Sequence, residues 1–171
     1  MYLNGVETDR LKIRSLELSD IPIWEIFFEN NPSLPFLGLD LSLDNKQQSK
    51  AWIKRQLERY ATNLYGHHAL ILKETNEFVG QCGLLAQTVD GIKEIEIGYH
   101  VLPKYWGNGF ATESAIQFRD YAFKKKISDS LISVIDIRNI ASQNVAKKLG
   151  MLKDKQTKLF GLDVFIYRIR L

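Results

Sequence analysis

Apolar and polar residues succeed one another with two different periods along this chain. Leu11 and Ile13, extended to Leu16, alternate with Lys12 and Arg14, and residues 68–73, 78–87, 92–101, 131–137, 151–158 and 162–169 read as further strands by alternation or short apolar runs. Helical spacing falls between them. Ser19 to Pro22 is a helix start, with Trp24, Ile26, Phe27 and Phe28 as apolar bulk. Residues 44–62 turn Trp52, Ile53, Leu57 and Tyr60 to one side, and residues 107–125 do the same with Phe110, Ala111, Ser114, Ala115, Phe118 and Ala122. A fourth helix opens after Asn139 and stops at Gly150, a residue suited to a left-handed C-terminal turn. Turns at 74–77, Asp90-Gly91 and Phe160-Gly161 make neighbouring strands antiparallel, while the helix at 107–125 is a crossover that implies parallel or splayed pairing. The expected fold is α/β (α+β mixed), with a central, mostly antiparallel sheet of about seven strands flanked by about four helices. Residues 1–8 precede the first periodic stretch and are expected to be partly disordered. Residues 30–43, with Pro32, Pro35 and Gly38, form a loop whose Leu and Phe content suits either a pocket wall or a cover for core.

Residues 94–118, EIEIGYHVLPKYWGNGFATESAIQF, change period midway. Ile95, Ile97, Tyr99 and Val101 alternate; beyond Gly109 the spacing is helical, and Glu113 comes early, where the helix dipole favours an acid. Between them, residues 102–109 make a glycine-rich turn. A strand feeding such a turn into a helix N-terminus gathers unpaired N–H groups at one point, which seats a phosphate. No G-x-x-x-x-G-K-[ST] run exists, and the dinucleotide fingerprint fails where Thr112 stands in place of its third glycine. The pattern that fits is [QR]-x-x-G-x-[GA], as Lys104-Tyr105-Trp106-Gly107-Asn108-Gly109, with Lys in the first position.

That loop resembles the pyrophosphate loop of the GNAT acyltransferase superfamily. EIGYHV before it and WGNGFATES after it resemble in particular the branch that contains the ribosomal-protein N-terminal acetyltransferases. A second signature, N-x-x-S followed by a short helix ending in L-G-[FM], is matched by Asn139, Ser142, Leu149, Gly150 and Met151. The resemblance covers about residues 8–170 in the superfamily's element order. It implies a sheet splayed at a cofactor cleft, acetyl-CoA as cosubstrate, and direct transfer of the acetyl group to a primary amine in a ternary complex. A peptide or protein α-amine is the implied acceptor; a polyamine or other small amine, or a non-catalytic acetyl-CoA-binding module, are the alternatives. Acetyl-CoA is placed against Tyr99, Val101, Leu102, Lys104, Trp106, Gly107, Asn108, Gly109, Phe110, Ala111, Thr112, Asn139 and Ser142. Within the same resemblance Glu96, in the E-x-G-Y run, is the general base, and Ser142 protonates the leaving thiolate. Asn139 bonds the pantetheine arm, caps a helix, or does both. Many members carry a tyrosine in the last helix, where this chain has Ala146.

The residues support that chemistry independently. An α-amine with a pKa of about 8 is partly neutral at physiological pH, while a lysine ammonium at about 10.4 is almost wholly charged, so a base helps. Alternation puts Glu94, Glu96, Gly98 and His100 on one face of their strand. A carboxylate on a central strand is costly unless paired or hydrated, so Glu96 is either a base in a cleft or the ion-pair partner of a residue such as Arg14, with Glu94 peripheral. Backbone N–H groups near Val101, where strands part, are expected to serve a developing oxyanion.

Composition narrows the classes. A chain of 171 residues is expected to form one domain spanning 1–171, burying roughly two-thirds of its unfolded surface. Its formal charge of +3 suits an anionic ligand, and its only basic run, Lys124-Lys125-Lys126, ends a helix, so no nucleic-acid partner is expected. Cys82 is alone, no apolar run reaches membrane length, and no secretory segment is present; a reducing cytoplasm without membrane attachment is the expectation. His67, His68 and His100 lack metal-ligand spacing, so no metal is expected. Monomer and homodimer are both compatible, and acceptor specificity is assigned to residues 30–43 and the second helix.

Overall fold

The computed structural model describes residues 2–40 and 42–171, so Met1 of the N-terminal segment and Leu41 of the long loop lie outside the described residues. In chain order the elements are β1 (Val6–Glu7), β2 (Leu11–Ser15), α1 (Ile21–Glu25), α2 (Asn45–Ala61), β3 (Tyr65–Leu72), β4 (Phe78–Val89), β5 (Ile92–Val101), α3 (Phe110–Lys124), β6 (Ser130–Asp136), α4 (Ile140–Lys148), β7 (Leu152–Leu159) and β8 (Leu162–Arg170). The strands form one sheet in the order β1-β2-β3-β4-β5-β6-β8-β7. Every neighbouring pair is antiparallel except β5 and β6, which are parallel and meet at a single register, Glu96 opposite Ile132. The hairpins close on Asp90-Gly91 and Phe160-Gly161, all four with positive φ, as two-residue turns matched to strand twist require.

Eight strands replace the expected seven because the N-terminal segment is built into the fold. Val6 and Glu7 pair with Ile13 and Lys12, Leu3 is 5% exposed within the core, and the Tyr2 ring packs edge-on to Tyr65, His68 and Phe118. A two-residue strand is too short to show a period. The first helix is also shorter than its apolar content suggests: five α-helical residues flanked by 3₁₀ turns at Leu18–Asp20 and Ile26–Phe28.

Each face of the sheet buries its own core. Ile97 and Val101 of β5 pack with Leu70, Phe118, Leu131 and Tyr167 beneath α3 and α4. On the opposite face Trp24 stacks on Phe27 at 4.3 Å, and both join Phe28, Ile53 and Leu102 under α1 and α2. Residues 30–43 both cover and line: Leu34, Leu37 and Leu39 pack on this second core, while Ser33, Phe36 and Leu37 reach the cleft described below. Among the described residues no helix is long and apolar enough to cross a membrane.

Candidate active site

The parting of β5 from β6 creates the site. Leu102 N–H donates to the Val79 carbonyl at 2.9 Å, in register with Gly80 opposite Val101, so even-numbered residues of β5 turn their backbone groups to β4 and odd-numbered ones to β6. Past Glu96, β6 does not follow. Ser133 Oγ donates to the Ile97 carbonyl at 2.9 Å and Trp106 Nε1 to the Val101 carbonyl at 2.7 Å. The amides of Tyr99 and Val101 consequently face the gap, where the sequence placed oxyanion and ligand donors. A cleft of about 370 Å³ opens there, running from the α3 N-terminus to Phe27, Phe36 and Leu37.

One end of the cleft is suited to an anion. Asp44 caps α2 and Asn139 caps α4 through their side chains, but Gly109, with φ of 82°, opens α3 without a side-chain cap. The first-turn amides of α3 therefore remain available to a ligand, and Gly109, Phe110, Ala111 and Thr112 line the cleft. Glu113 faces the N-terminal segment, accepting from Thr8 Oγ1 at 2.6 Å, Arg10 N–H at 2.9 Å and Arg10 Nε at 2.7 Å.

Ten of the thirteen residues expected at the cofactor line this cleft: Tyr99, Val101, Trp106, Gly107, Gly109, Phe110, Ala111, Thr112, Asn139 and Ser142. Three stand elsewhere. Leu102, the residue after β5, is 2% exposed in the α1–α2 core, on the other face of the sheet from the core that holds Val101. Lys104 pairs with Glu77 at 3.3 Å, and Asn108 Nδ2 donates to the Tyr105 and Trp106 carbonyls at 2.9 and 3.2 Å, which shapes the loop from outside. Ser133, Asn144, Val145 and Lys148 also line the cleft and went unrecognised in the sequence; only Ser133, a hydroxyl within an apolar strand, left a signal.

Asn139 does cap its helix: Oδ1 accepts from Ser142 N–H at 3.1 Å, leaving Nδ2 as the group able to reach a ligand. The Ser142 carbonyl accepts from the Tyr99 hydroxyl at 2.9 Å, while the Ser142 hydroxyl has no partner among the described residues. Burial pushes the Tyr99 phenol well up, so it stays protonated as a strut. Ala146 is fully buried in the core.

Glu96 is 8% exposed and lines the cleft. Burial raises its carboxyl above the usual range, against the opposing influence of Gln87 Nε2 (3.1 Å from Oε2), the Val134 amide and the charge of Arg59. Arg14 is not its partner, because its two terminal guanidinium nitrogens, Nη2 and Nη1, bind Asp20 at 2.7 and 2.8 Å. Glu94 is held apart from the cleft by Arg168, at 2.7 and 3.0 Å. Burial pushes the Cys82 thiol up to about 12, which leaves it unreactive. Among the described residues no three His, Cys, Asp or Glu side chains converge on a point that could hold a metal ion.

Comparison with known proteins agrees with this geometry. The acetyltransferase (GNAT) domain family matches residues 10–152. YkkB, an uncharacterized protein of Bacillus subtilis (strain 168), is 30% identical over 164 residues, which are 94% of this chain and 92% of YkkB. The crystal structure of the acetyltransferase from Agrobacterium tumefaciens str. C58 superposes with a TM-score of 0.81 at 25% identity, covering all of this chain and 96% of that one. RimL, a ribosomal L7/L12 α-N-protein acetyltransferase in complex with coenzyme A, shares the fold with a TM-score of 0.80 at 14% identity over 98% of this chain and 97% of its own. With the family match running from the start of β2 to the start of β7 across the whole splayed cleft, this chain belongs to the GNAT family of acetyltransferases.

Proposed function

We propose that this acetyltransferase uses acetyl-CoA and passes its acetyl group directly to a primary amine in a ternary complex, the acceptor being the α-amine of a peptide or protein. The observation that carries this is the layout of one cleft: uncapped α3 amides at one end, a buried carboxylate, Glu96, toward the other, and free amides of Tyr99 and Val101 between. Acetyl-CoA supplies an activated thioester. The amides from Gly109 to Thr112 receive the pyrophosphate, and the edge of β5 left open by β6, with Asn139 Nδ2, receives the pantetheine arm. Glu96 lies five residues from Val101, roughly 16 Å at about 3.3 Å per residue, too far to touch the pyrophosphate but suited to the acyl end. Its raised pKa makes it a competent acceptor for the proton of an attacking amine. One amide of the open β5 edge, that of Tyr99 or Val101, stabilises the oxyanion, Glu96 reaches the attacking amine through water across the remaining span, and the Ser142 hydroxyl donates to the departing thiolate.

An α-amine is the more easily deprotonated acceptor, and the fold shared with RimL supports that choice. The test is free-thiol release from acetyl-CoA in the presence of one peptide with its N-terminus free or blocked. Turnover of the free form alone is expected. Equal turnover of both removes the α-amine, and acetyl-CoA binding without any thiol release removes the catalytic reading.

A further inference from the structure

The acceptor half of the cleft, around Glu96, is walled by Phe27, Ser33, Phe36, Leu37 and His100. The cleft lining holds two carboxylates, Glu96 and Asp136, and of the two only Glu96 is without an ion pair among the described residues. Asp136, the other carboxylate on the cleft wall, is 3% exposed and bound by Arg138, Nε to Oδ1 at 2.9 Å and Nη2 to Oδ2 at 2.7 Å. The Arg138 guanidinium also lies 5.3 Å over the Phe36 ring and reaches the Pro35 carbonyl, so a cation already stands beside this wall. His100 sits edge-on to Trp52 at 4.8 Å and to Phe27 at 5.9 Å, with His67 5.1 Å behind it; burial holds both imidazoles neutral. Arg59 adds positive charge near Glu96.

A polyamine carries a second ammonium a few carbons from the reacting nitrogen. With Glu96 engaged by the reacting nitrogen, that ammonium finds no second free carboxylate among the described residues of this half-cleft, and a desolvated charge without a partner is strongly disfavoured. An aromatic or aliphatic body finds Phe27, Phe36, Leu37 and the edge of His100. We infer that the acceptor bears a single amine on an uncharged, apolar body: for a peptide, an apolar first residue; for a small molecule, an arylalkyl or alkyl monoamine and not a polyamine. The inference rests on the acetyl-transfer reading of this same cleft.

Thiol release from acetyl-CoA is measured with peptides beginning with Phe, Leu, Lys or Asp, and with 2-phenylethylamine and spermidine, alongside calorimetric binding of acetyl-CoA. Apolar acceptors are expected to exceed spermidine and the charged peptides in kcat/KM by on the order of tenfold or more. Leu37→Glu places a carboxylate in the wall and is expected to shift that preference toward spermidine by about tenfold, with acetyl-CoA affinity unchanged. Spermidine or charged peptides used as well as the apolar acceptors, an unmoved preference in Leu37→Glu, or acetyl-CoA binding with no acceptor turned over each overturns the inference. Failure to bind acetyl-CoA at all strikes the cofactor reading instead and removes the inference with it.

Discussion

His67 of β3 stands where a side chain at position 98 would stand: a Cβ built on Gly98 of β5 would lie 2.5 Å from His67 Nε2. The two strands are separated by β4, and the register sets His67 opposite Gly83 and Gly83 opposite Gly98. A Cβ on Gly83 would meet the Gly66 carbonyl at 2.3 Å. Two glycines thus let one imidazole cross the sheet and fill the face between Glu96 and His100, with Trp52 stacked on it at 5.9 Å.

Gly98→Ala is therefore expected to destabilise by overpacking, by about 1–3 kcal/mol. Removing the opposing ring should relieve part of that cost, so Gly98→Ala and His67→Ala should couple favourably in a double-mutant cycle followed by urea unfolding. Strict additivity would refute the contact.

Glu96→Gln keeps the bond from Gln87 within reach of an amide oxygen but removes the base. A loss of about 10² to 10⁴ in kcat is expected, with acetyl-CoA affinity nearly unchanged. Because burial raises the Glu96 pKa, parental activity should rise with pH along a limb lying above the ordinary carboxylate range, and that limb should vanish in the variant. Near-parental kcat with a lowered Tm would assign Glu96 to the fold alone.

Ala111→Asp tests the phosphate end. In the first turn of α3 an acid is favoured by the helix dipole, by about 0.3–1 kcal/mol, so the fold should hold. The same charge on the cleft wall should repel the pyrophosphate and weaken acetyl-CoA binding by on the order of tenfold or more. Gly109 is a poorer probe, since a side chain there points toward Arg10 Nη2, 3.6 Å from its Cβ. Unchanged calorimetric affinity in a folded Ala111→Asp would displace the pyrophosphate from this loop.

Ser142→Ala removes a hydroxyl that makes no internal bond among the described residues, so stability should stay within about 0.5 kcal/mol of the parent. If the hydroxyl serves the leaving thiolate, kcat should fall while acetyl-CoA affinity holds, and Ser142→Thr should restore part of the rate. An unaltered kcat in Ser142→Ala hands that proton to water.

Acid should destabilise the protein through its histidines. His68 lies beneath Tyr2 and Phe118, at 4.6 and 5.7 Å, and burial holds its pKa down at about 4, against about 6.5 in the unfolded chain. Between those values the unfolded chain binds a proton that the folded one does not. Stability from this group is thus complete above pH about 6.5 and falls as pH drops toward 4. His100, also near 4, and His67 act in the same direction; Glu96, raised by burial, acts in the opposite one. Thermal melts from pH 7.5 to 5 should show a falling Tm, and His68→Gln should flatten the slope by about one proton.

Local pattern was enough for what local pattern encodes. Alternation and helical spacing located β2 through β8 and all four helices, and the hairpins at Asp90-Gly91 and Phe160-Gly161 were legible because few residues accept paired positive φ values. The glycine turn with its helix, Glu96 on the even face of β5, and the Asn139 cap were readable for the same reason: each is a relation among residues close in sequence. The tertiary structure decided the rest. The seating of Tyr2 and Leu3, the transfer of Arg14 to Asp20, and the removal of Leu102, Lys104 and Asn108 from the cleft wall depend on where distant segments meet. So do the placement of Ser133 and Arg138 and the ring of His67 lying across two glycines. Periodicity specifies which way a side chain leaves its own element, while packing across the sheet decides what it finds there.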